Sequence, residues 1–334
     1  MKVAVLGAGS WGTTLAARLS ARSDTIVWAR EPEVVEAISQ RHENPLFLSG
    51  FSLPPALRAS NDMGEVLDGA EVVVFAVPSR YFRSVAELAE PLVAGGVDFV
   101  SVTKGIDPST CLRMSEVLEE SLECDPGRIC VLSGPNLARE VMAGRPSATV
   151  VACRNDATAE RLQRLFMDDS LRVYTNRDVV GCEIGGAVKN VIAIAAGIGD
   201  GLGYGWNTKA ALITRGLAEL ARLGVALGGA PLTFIGLAGN GDLTATCSSP
   251  DSRNRTVGEQ LGKGHSLEAI LASMHMVAEG IGTTPAVLEL AERTSVDMPI
   301  AQTVGEVLNG TLAPIEVVGK LMHREARAEL HDLA

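Results

Sequence analysis

Lys189 is the only ionisable residue between Glu183 and Asp200, in a run of Ala, Gly, Val, Ile and Asn. An ammonium group is costly to bury unless it has a polar destination. Burial also lowers its pKa toward the range useful for proton transfer. Lys189 is therefore the candidate catalytic acid and base, against the alternative of a lysine that lays its stem on apolar surface and keeps its head in water. Gly185 and Gly186 share its helix face and leave room beside it for another body. Farther on, Leu237-Ala238-Gly239-Asn240-Gly241-Asp242 is a glycine turn. Asp242 is a turn or capping residue, or it orients Lys189, or it accepts a hydrogen bond from a substrate hydroxyl. Ser252-Arg253-Asn254-Arg255 follows a Pro-Asp turn and opens a helical pattern. Hydroxyl, guanidinium and amide donors at a helix start suit a phosphate monoester; capping and solvated arginines are the alternative.

The N-terminal end carries a second chemistry. Gly7-Ala8-Gly9-Ser10-Trp11-Gly12 is a G-x-G-x-x-G between an apolar strand and a helical pattern. Gly7 permits the tight turn, Gly9 the approach of a pyrophosphate, and Gly12 close helix–strand packing. The next strand, Ile26-Val27-Trp28, runs into Arg30 where an NAD site would place an acid. A guanidinium can grip a ribose phosphate, which favours NADP(H); Glu31 beside it keeps NAD(H) open. Ligands of open α/β sheets bind outside the carboxyl ends of strands. Pro78-Ser79, Thr103-Lys104-Gly105 and Ser133-Gly134-Pro135-Asn136 are such ends. Lys104 there can meet an anionic substrate or the cofactor, and Ser133 or Asn136 can cap a helix or bind substrate.

The elements that must position these groups divide the 334 residues in two. Seven apolar runs alternate with amphipathic stretches up to Tyr174: Val3–Leu6, Ile26–Trp28, Val72–Val77, Phe99–Val102, Ile129–Leu132, Thr149–Ala152 and Leu171–Tyr174. Most lack alternation, as strands covered on both faces do. The amphipathic stretches Trp11–Leu19, Phe82–Leu92 and Thr110–Leu122 between them imply a mainly parallel, doubly wound α/β sheet of Rossmann type. Beyond Asn176 only helical spacing remains, at Gly181–Ala196, Thr208–Leu223, Ser266–Ala272, Thr284–Arg293 and Ala301–Leu308. The expected organisation is a cofactor-binding domain over 1–178 and an all-helical catalytic domain over 179–334, with the active site in the cleft between them.

Composition excludes other classes. Lys plus Arg is 29 against 40 Asp plus Glu, a net charge of −11, which argues against nucleic acid and anionic membranes as partners. The opening MKVAVLGAG breaks at Gly7, short of a signal-peptide core. Ile184–Ile198 is interrupted by Lys189 and three glycines and reads as a buried helix, so no stable membrane insertion is expected. Six cysteines without a CxxC pair read as reduced thiols of a cytoplasmic protein. None of the five histidines has a convincing metal spacing, so no metal site is expected.

Taken together, these segments resemble bacterial NAD(P)-dependent glycerol-3-phosphate dehydrogenases nearly end to end. The resemblance is carried by GAGSWGTTLA at 7–16, WAR at 28–30, HENPLFLSG at 42–50, AVPS at 76–79, TKGI at 103–106 and SGPNLARE at 133–140. It continues through the long GGAVKNVIAIAAGIGDGLGYGWNTKAALITRGL block at 185–217, GLAGNGDL at 236–243, SRNRTVG at 252–258, VAEG at 277–280 and MPI at 298–300. It implies Lys189 as catalytic lysine. It implies substrate contacts at Lys104, Gly134, Asn136, Asp242, Ser252, Arg253 and Asn254. Cofactor contacts are implied at Ser10, Trp11, Arg30, Ala138, Val277 and Glu279, with Lys104 and Arg253 near both ligands. The chain departs from the family pattern at Asn136, where Ser or Thr is commoner, and at Asn240, where a larger apolar residue is. The implied reaction is reversible reduction of dihydroxyacetone phosphate to sn-glycerol 3-phosphate, in a cytoplasmic homodimer that feeds glycerophospholipid synthesis. Within enzymes the runner-up is a β-hydroxyacid dehydrogenase; outside them it is a non-catalytic NADP(H) sensor.

Overall fold

The computed structural model describes residues 1–274 and 276–326. His275 and His331, two of the histidines assigned no role, lie outside the described residues. The chain forms two compact units. The first comprises Met1–Asp107 and Leu112–Val179; the second, Pro108–Cys111 and residues from Val180 onward.

Eight strands build the first unit: β1 Lys2–Leu6, β2 Asp24–Trp28, β3 Arg58–Ser60, β4 Val72–Phe75, β5 Asp98–Ser101, β6 Ile129–Ser133, β7 Ser147–Cys153 and β8 Leu171–Asn176. They form one sheet in the order β3-β2-β1-β4-β5-β6-β7-β8, parallel throughout except for the antiparallel β6–β7 pair. Its helices are α1 Ser10–Ser20, α2 Pro32–Glu36, α3 Met63–Leu67, α4 Ser79–Ala89, α5 Met114–Ser121, α6 Ala138–Met142 and α7 Asp156–Phe166. Alternate side chains of each strand feed opposite layers. Val3, Val5, Val72 and Val74 pack with Leu15 of α1 and Leu162 of α7. Ala4, Leu6, Val73 and Phe75 pack with Phe82 of α4 and Val117 of α5. The central strands β1, β4, β5 and β6 are thus covered on both faces, which is why they carry no polar alternation, whereas the edge strand β8 alternates buried and exposed residues.

Details of the α/β unit differ from the sequence reading. Strand β3 was not anticipated: it is three residues long, at the sheet edge, and its sequence Arg-Ala-Ser has no apolar run. Helix α4 stops at Ala89 and passes into a 3-10 turn at Glu90–Leu92, since Pro91 has no N–H to extend the α-helical ladder. Helix α5 begins at Met114 rather than Thr110. Cys111 adopts a left-handed φ of 62°, and Glu116 accepts the Arg113 backbone N–H at 2.8 Å to close the helix start.

The second unit is helical: α8 Val179–Gly201, α9 Trp206–Ala226, α10 Pro231–Ile235, α11 Asp242–Ser248, α12 Arg253–Gly262, α13 Leu267–Ser273, α14 Glu279–Arg293, α15 Pro299–Leu308 and α16 Val317–Met322. Helix α8 is long and apolar enough to span a bilayer, but its most apolar stretch is 94% buried, so it is a core helix. Helix α12 lies on it backbone to backbone. A Cβ at Gly197 would overlap the Arg255 carbonyl, and one at Gly258 the Ile194 carbonyl. Gly201 and Gly262 repeat the same contact one turn along. Only glycine lets two helices approach this closely.

Candidate active site

In the helical unit the site is built on α8. A Cβ at Gly185 would come within 2.5 Å of the Ala238 carbonyl, so the 237–241 turn rests directly on the α8 backbone. That turn leads into α11 and delivers Asp242 and, one helical turn later, Thr246 to the same face. Lys189 is 5% exposed. Its Nζ donates to Asp242 Oδ1 at 2.5 Å and to Thr246 Oγ1 at 2.6 Å. The polar destination of the lysine is therefore an internal carboxylate rather than water. Its charge is neutralised in place, as a buried ammonium requires. Cys247, next along α11, is held protonated: burial pushes its thiol up to about 12, and the nearby Lys189 and Lys209 charges only partly oppose this. It supplies no thiolate nucleophile at neutral pH.

The donors of the 252–255 cluster separate into different tasks. Ser252 caps α12, accepting from the Arg255 N–H at 3.3 Å. Asn254 is buried and spans three helices. Its Nδ2 donates to Asn190 Oδ1 at 2.8 Å, and its Oδ1 accepts the Gly280 N–H at 2.9 Å. Arg255 turns away to Asp200 at 2.7 Å and Glu259 at 3.0 Å. Arg253 is exposed by surface area, yet desolvation by the surrounding protein holds its pKa below the usual arginine range, and the Glu279 carboxylate only partly opposes this. Val277 and Glu279, half-buried, lead into α14.

In the α/β unit the glycine loop follows β1 at the point where the sheet order reverses between β2 and β4. Gly7 has φ of 114°, and a Cβ there would meet the Ala76 carbonyl at 2.6 Å; one at Gly12 would overlap the Gly7 carbonyl. By contrast, a Cβ at Gly9 would meet nothing within 4 Å. Two glycines are thus required by the protein's own packing, while the third faces space that a pyrophosphate could fill at the start of α1. Trp11 Nε1 is buried with no hydrogen-bond partner, a donor left over for a ligand acceptor. These features fit a dinucleotide. Arg30, two residues beyond β2, is 74% exposed and pairs with Glu31 at 2.8 Å.

The strand-end residues do come together. Lys104 Nζ donates to the Gly134 carbonyl at 2.7 Å. Gly134 has φ of 139°, and a Cβ on it would press on Thr149 at 3.1 Å. Asn136 Nδ2 donates to Thr149 Oγ1 at 2.9 Å, which donates to the Ser133 carbonyl at 2.9 Å. The Asn136 Oδ1 and the Ser133 Oγ are buried without partners. Ala138 opens α6, and its carbonyl accepts from Thr14 Oγ1 of α1 at 3.3 Å.

Sequence reasoning missed Thr246, Asn190 and Asn44. The i, i+4 spacing from Asp242 was a signal for Thr246. Asn190 joins Lys189 in sequence but acts through Asn254, 64 residues away. Asn44 is fully buried and hydrogen-bonds the glycine loop 36 residues earlier, which nothing local announces. Among the described residues, no group of three or more His, Cys, Asp or Glu could hold a metal ion, and the six cysteines are free thiols.

Comparison with known proteins covers both units. Residues 2–159 match the model of the NAD-dependent glycerol-3-phosphate dehydrogenase N-terminus, and residues 178–319 that of its C-terminus. The chain is 51% identical over 331 residues to a glycerol-3-phosphate dehydrogenase [NAD(P)+] of Sphingopyxis alaskensis, covering 99% of each chain. It is 51% identical to one from Thermobifida fusca, covering 98% of each. Its fold matches the crystal structure of the glycerol-3-phosphate dehydrogenase of Coxiella burnetii with a TM-score of 0.93 and 36% identity, over 97% of this chain and 99% of that one.

Proposed function

We infer that Lys189 is the acid–base group of this enzyme, since the chain belongs to the NAD-dependent glycerol-3-phosphate dehydrogenase family. The protein is an NAD(P)-dependent oxidoreductase that interconverts dihydroxyacetone phosphate and glycerol 3-phosphate. The observation that carries the residue assignment is the buried Lys189 ammonium held 2.5 Å from Asp242.

When bound, the nicotinamide cofactor supplies or accepts the hydride at the substrate's central carbon. Lys189 donates a proton to the oxygen on that carbon in reduction and takes it back in oxidation. Its charge also stabilises the oxyanion as it develops. Asp242 and Thr246 hold Nζ in one place, so the proton leaves from a positioned donor. Arg253 grips the substrate phosphate, with Lys104 as a second cation. Asn254 acts on that phosphate chiefly by fixing the start of α12, because its amide is engaged with Asn190 and Gly280. Gly7, Gly9, Ser10, Trp11 and Gly12 hold the cofactor pyrophosphate, and Ala138, Val277 and Glu279 complete the cofactor contacts. NADP(H) is preferred over NAD(H). The exposed guanidinium of Arg30 supports this reading, and a ribose phosphate would compete with Glu31 for it. The product is sn-glycerol 3-phosphate for glycerophospholipid synthesis, made by a cytoplasmic homodimer. The net charge of −11 suits a small-molecule partner better than a nucleic acid.

The test is cofactor oxidation followed by absorbance. Dihydroxyacetone phosphate is expected to support turnover, faster with NADPH than with NADH at equal concentration, while β-keto acids are not. Turnover with keto acids alone would overturn the substrate assignment; equal kcat/KM for the two cofactors would overturn the preference.

A further inference from the structure

We propose that Asn44 is a positioning residue for the cofactor: by turning the Ala8 carbonyl inward it aims the Gly9 N–H outward at the dinucleotide pyrophosphate. The proposal rests on reading Gly7–Gly12 as the dinucleotide loop. Asn44 is fully buried in the segment between α2 and β3. Its Nδ2 donates to the Ala8 carbonyl and to Thr13 Oγ1, both at 2.9 Å. Its Oδ1 accepts the Phe47 N–H at 3.1 Å. Thr13 Oγ1 in turn donates to the same Ala8 carbonyl at 3.0 Å. That carbonyl therefore accepts two hydrogen bonds from inside the protein, which uses both its lone pairs.

The consequence follows from peptide geometry. The Ala8 C=O and the Gly9 N–H belong to one planar trans peptide and point in opposite directions. Pinning the carbonyl toward Asn44 and Thr13 sends the N–H the other way. Gly9 is the loop glycine that faces open space. A loop this rich in glycine has many alternative conformations, and a donor that must be ordered at the moment of binding loses affinity. A second clasp works with the first. Ser10 Oγ donates to the Phe47 carbonyl, so one short segment holds the loop on both sides of Gly9. Arg139 of α6 donates to the Ser49 carbonyl at 3.1 Å and ties this segment to the helix that Ala138 opens.

The experiment measures the dissociation constant of NADPH by nucleotide fluorescence without substrate, together with steady-state kinetics and thermal unfolding. Asn44→Ala is expected to raise the Kd and the KM for NADPH at least tenfold. Its kcat at saturating NADPH and its KM for dihydroxyacetone phosphate should stay within threefold. Thr13→Val keeps the shape, removes the other donor to Ala8, and should act in the same direction. Asn44→Asp should bind NADPH increasingly poorly as pH rises and its carboxyl ionises, a dependence the wild type lacks. A folded Asn44→Ala or Thr13→Val protein with unchanged Kd overturns the proposal, as does an equal loss in kcat and in dihydroxyacetone phosphate binding. If Asn44→Ala does not fold, Thr13→Val decides. Wild-type protein that binds neither NADPH nor NADH would instead overturn the reading of the loop itself.

Discussion

Lys189 owes its role to two partners that the helix carrying it cannot supply. Asp242 and Thr246 lie 53 and 57 residues away in sequence and meet its Nζ together. Lys189→Ala is expected to lower kcat at least about 10²-fold, the scale of general acid catalysis, while NADPH binding and folding persist. Near-normal kcat would remove the lysine from the mechanism. Arg253 is the complementary case, a charge whose value depends on the ligand. Arg253→Ala should cost about ten- to a hundredfold in kcat/KM for dihydroxyacetone phosphate, from roughly 1.5–3 kcal/mol for a charge-assisted hydrogen bond. Unphosphorylated dihydroxyacetone, assayed at saturating NADPH, should hardly respond. An equal loss for both substrates would move Arg253 from phosphate binding to another task.

Among the elements, the α8–α12 pair sets the geometry around the lysine. Gly197 and Gly201 on one helix face Gly258 and Gly262 on the other, close enough for carbonyls to occupy the places of absent Cβ atoms. Because the obstructing atoms are backbone, neither helix can yield by changing a rotamer. Gly258→Ala should therefore push α12 away from α8 and carry Asn254 off Asn190. A destabilisation of about 1–3 kcal/mol or more is expected, the range for overpacking a filled interior. Chemical denaturation, with activity followed in parallel, checks it: an unchanged midpoint would mean that the helices can separate at no cost. Helix α14 shows how such contacts override local signals. Its helical pattern reads from Thr284, yet the helix begins at Glu279 and carries Pro285 inside it. Gly280 lies against the Asn190 carbonyl at what would be 2.6 Å for a Cβ, so packing on α8 sets where the helix starts.

For the whole molecule, pH acts on stability through a carboxyl buried in α9. Glu219 of α9 is buried and accepts the Ile300 and Ala301 N–H groups at 2.8 and 3.2 Å, at the start of α15. Burial raises its pKa from 4.5 to about 7, although those N–H groups and Arg222 pull the other way. A folded-state pKa above the unfolded one means that this stabilisation is complete below about pH 4.5 and is lost as pH climbs through 7. Glu219→Gln stays neutral and still accepts a hydrogen bond from the helix start. Relative to wild type it should gain on the order of 1–3 kcal/mol between pH 5 and pH 8, at about 1.4 kcal/mol per unit of pKa shift. Denaturation midpoints across that range test it, and parallel profiles for the two proteins would show that Glu219 ionises freely in the folded state.

How much of this was legible in the sequence follows the range of the interactions. The apolar runs of β1, β4 and β5 and the 7–12 glycine pattern announce a parallel sheet and a dinucleotide loop, because strand burial and tight turns are written in neighbouring residues. Lys189 stood out for the same reason: a charge in an apolar helix is anomalous within its own stretch. The edge strand β3 was invisible, since three residues with no apolar pattern become a strand only by pairing with β2. The sequence offered Asp242 as one partner for Lys189, and tertiary structure decided that this role holds; it alone decided that Asn254 reaches Asn190 and that Asn44 holds the glycine loop. Those contacts bridge 36 to 64 residues of sequence. Chain folding selects them by the geometry of whole elements, and a buried amide or ammonium leaves no local trace of the partner it will find.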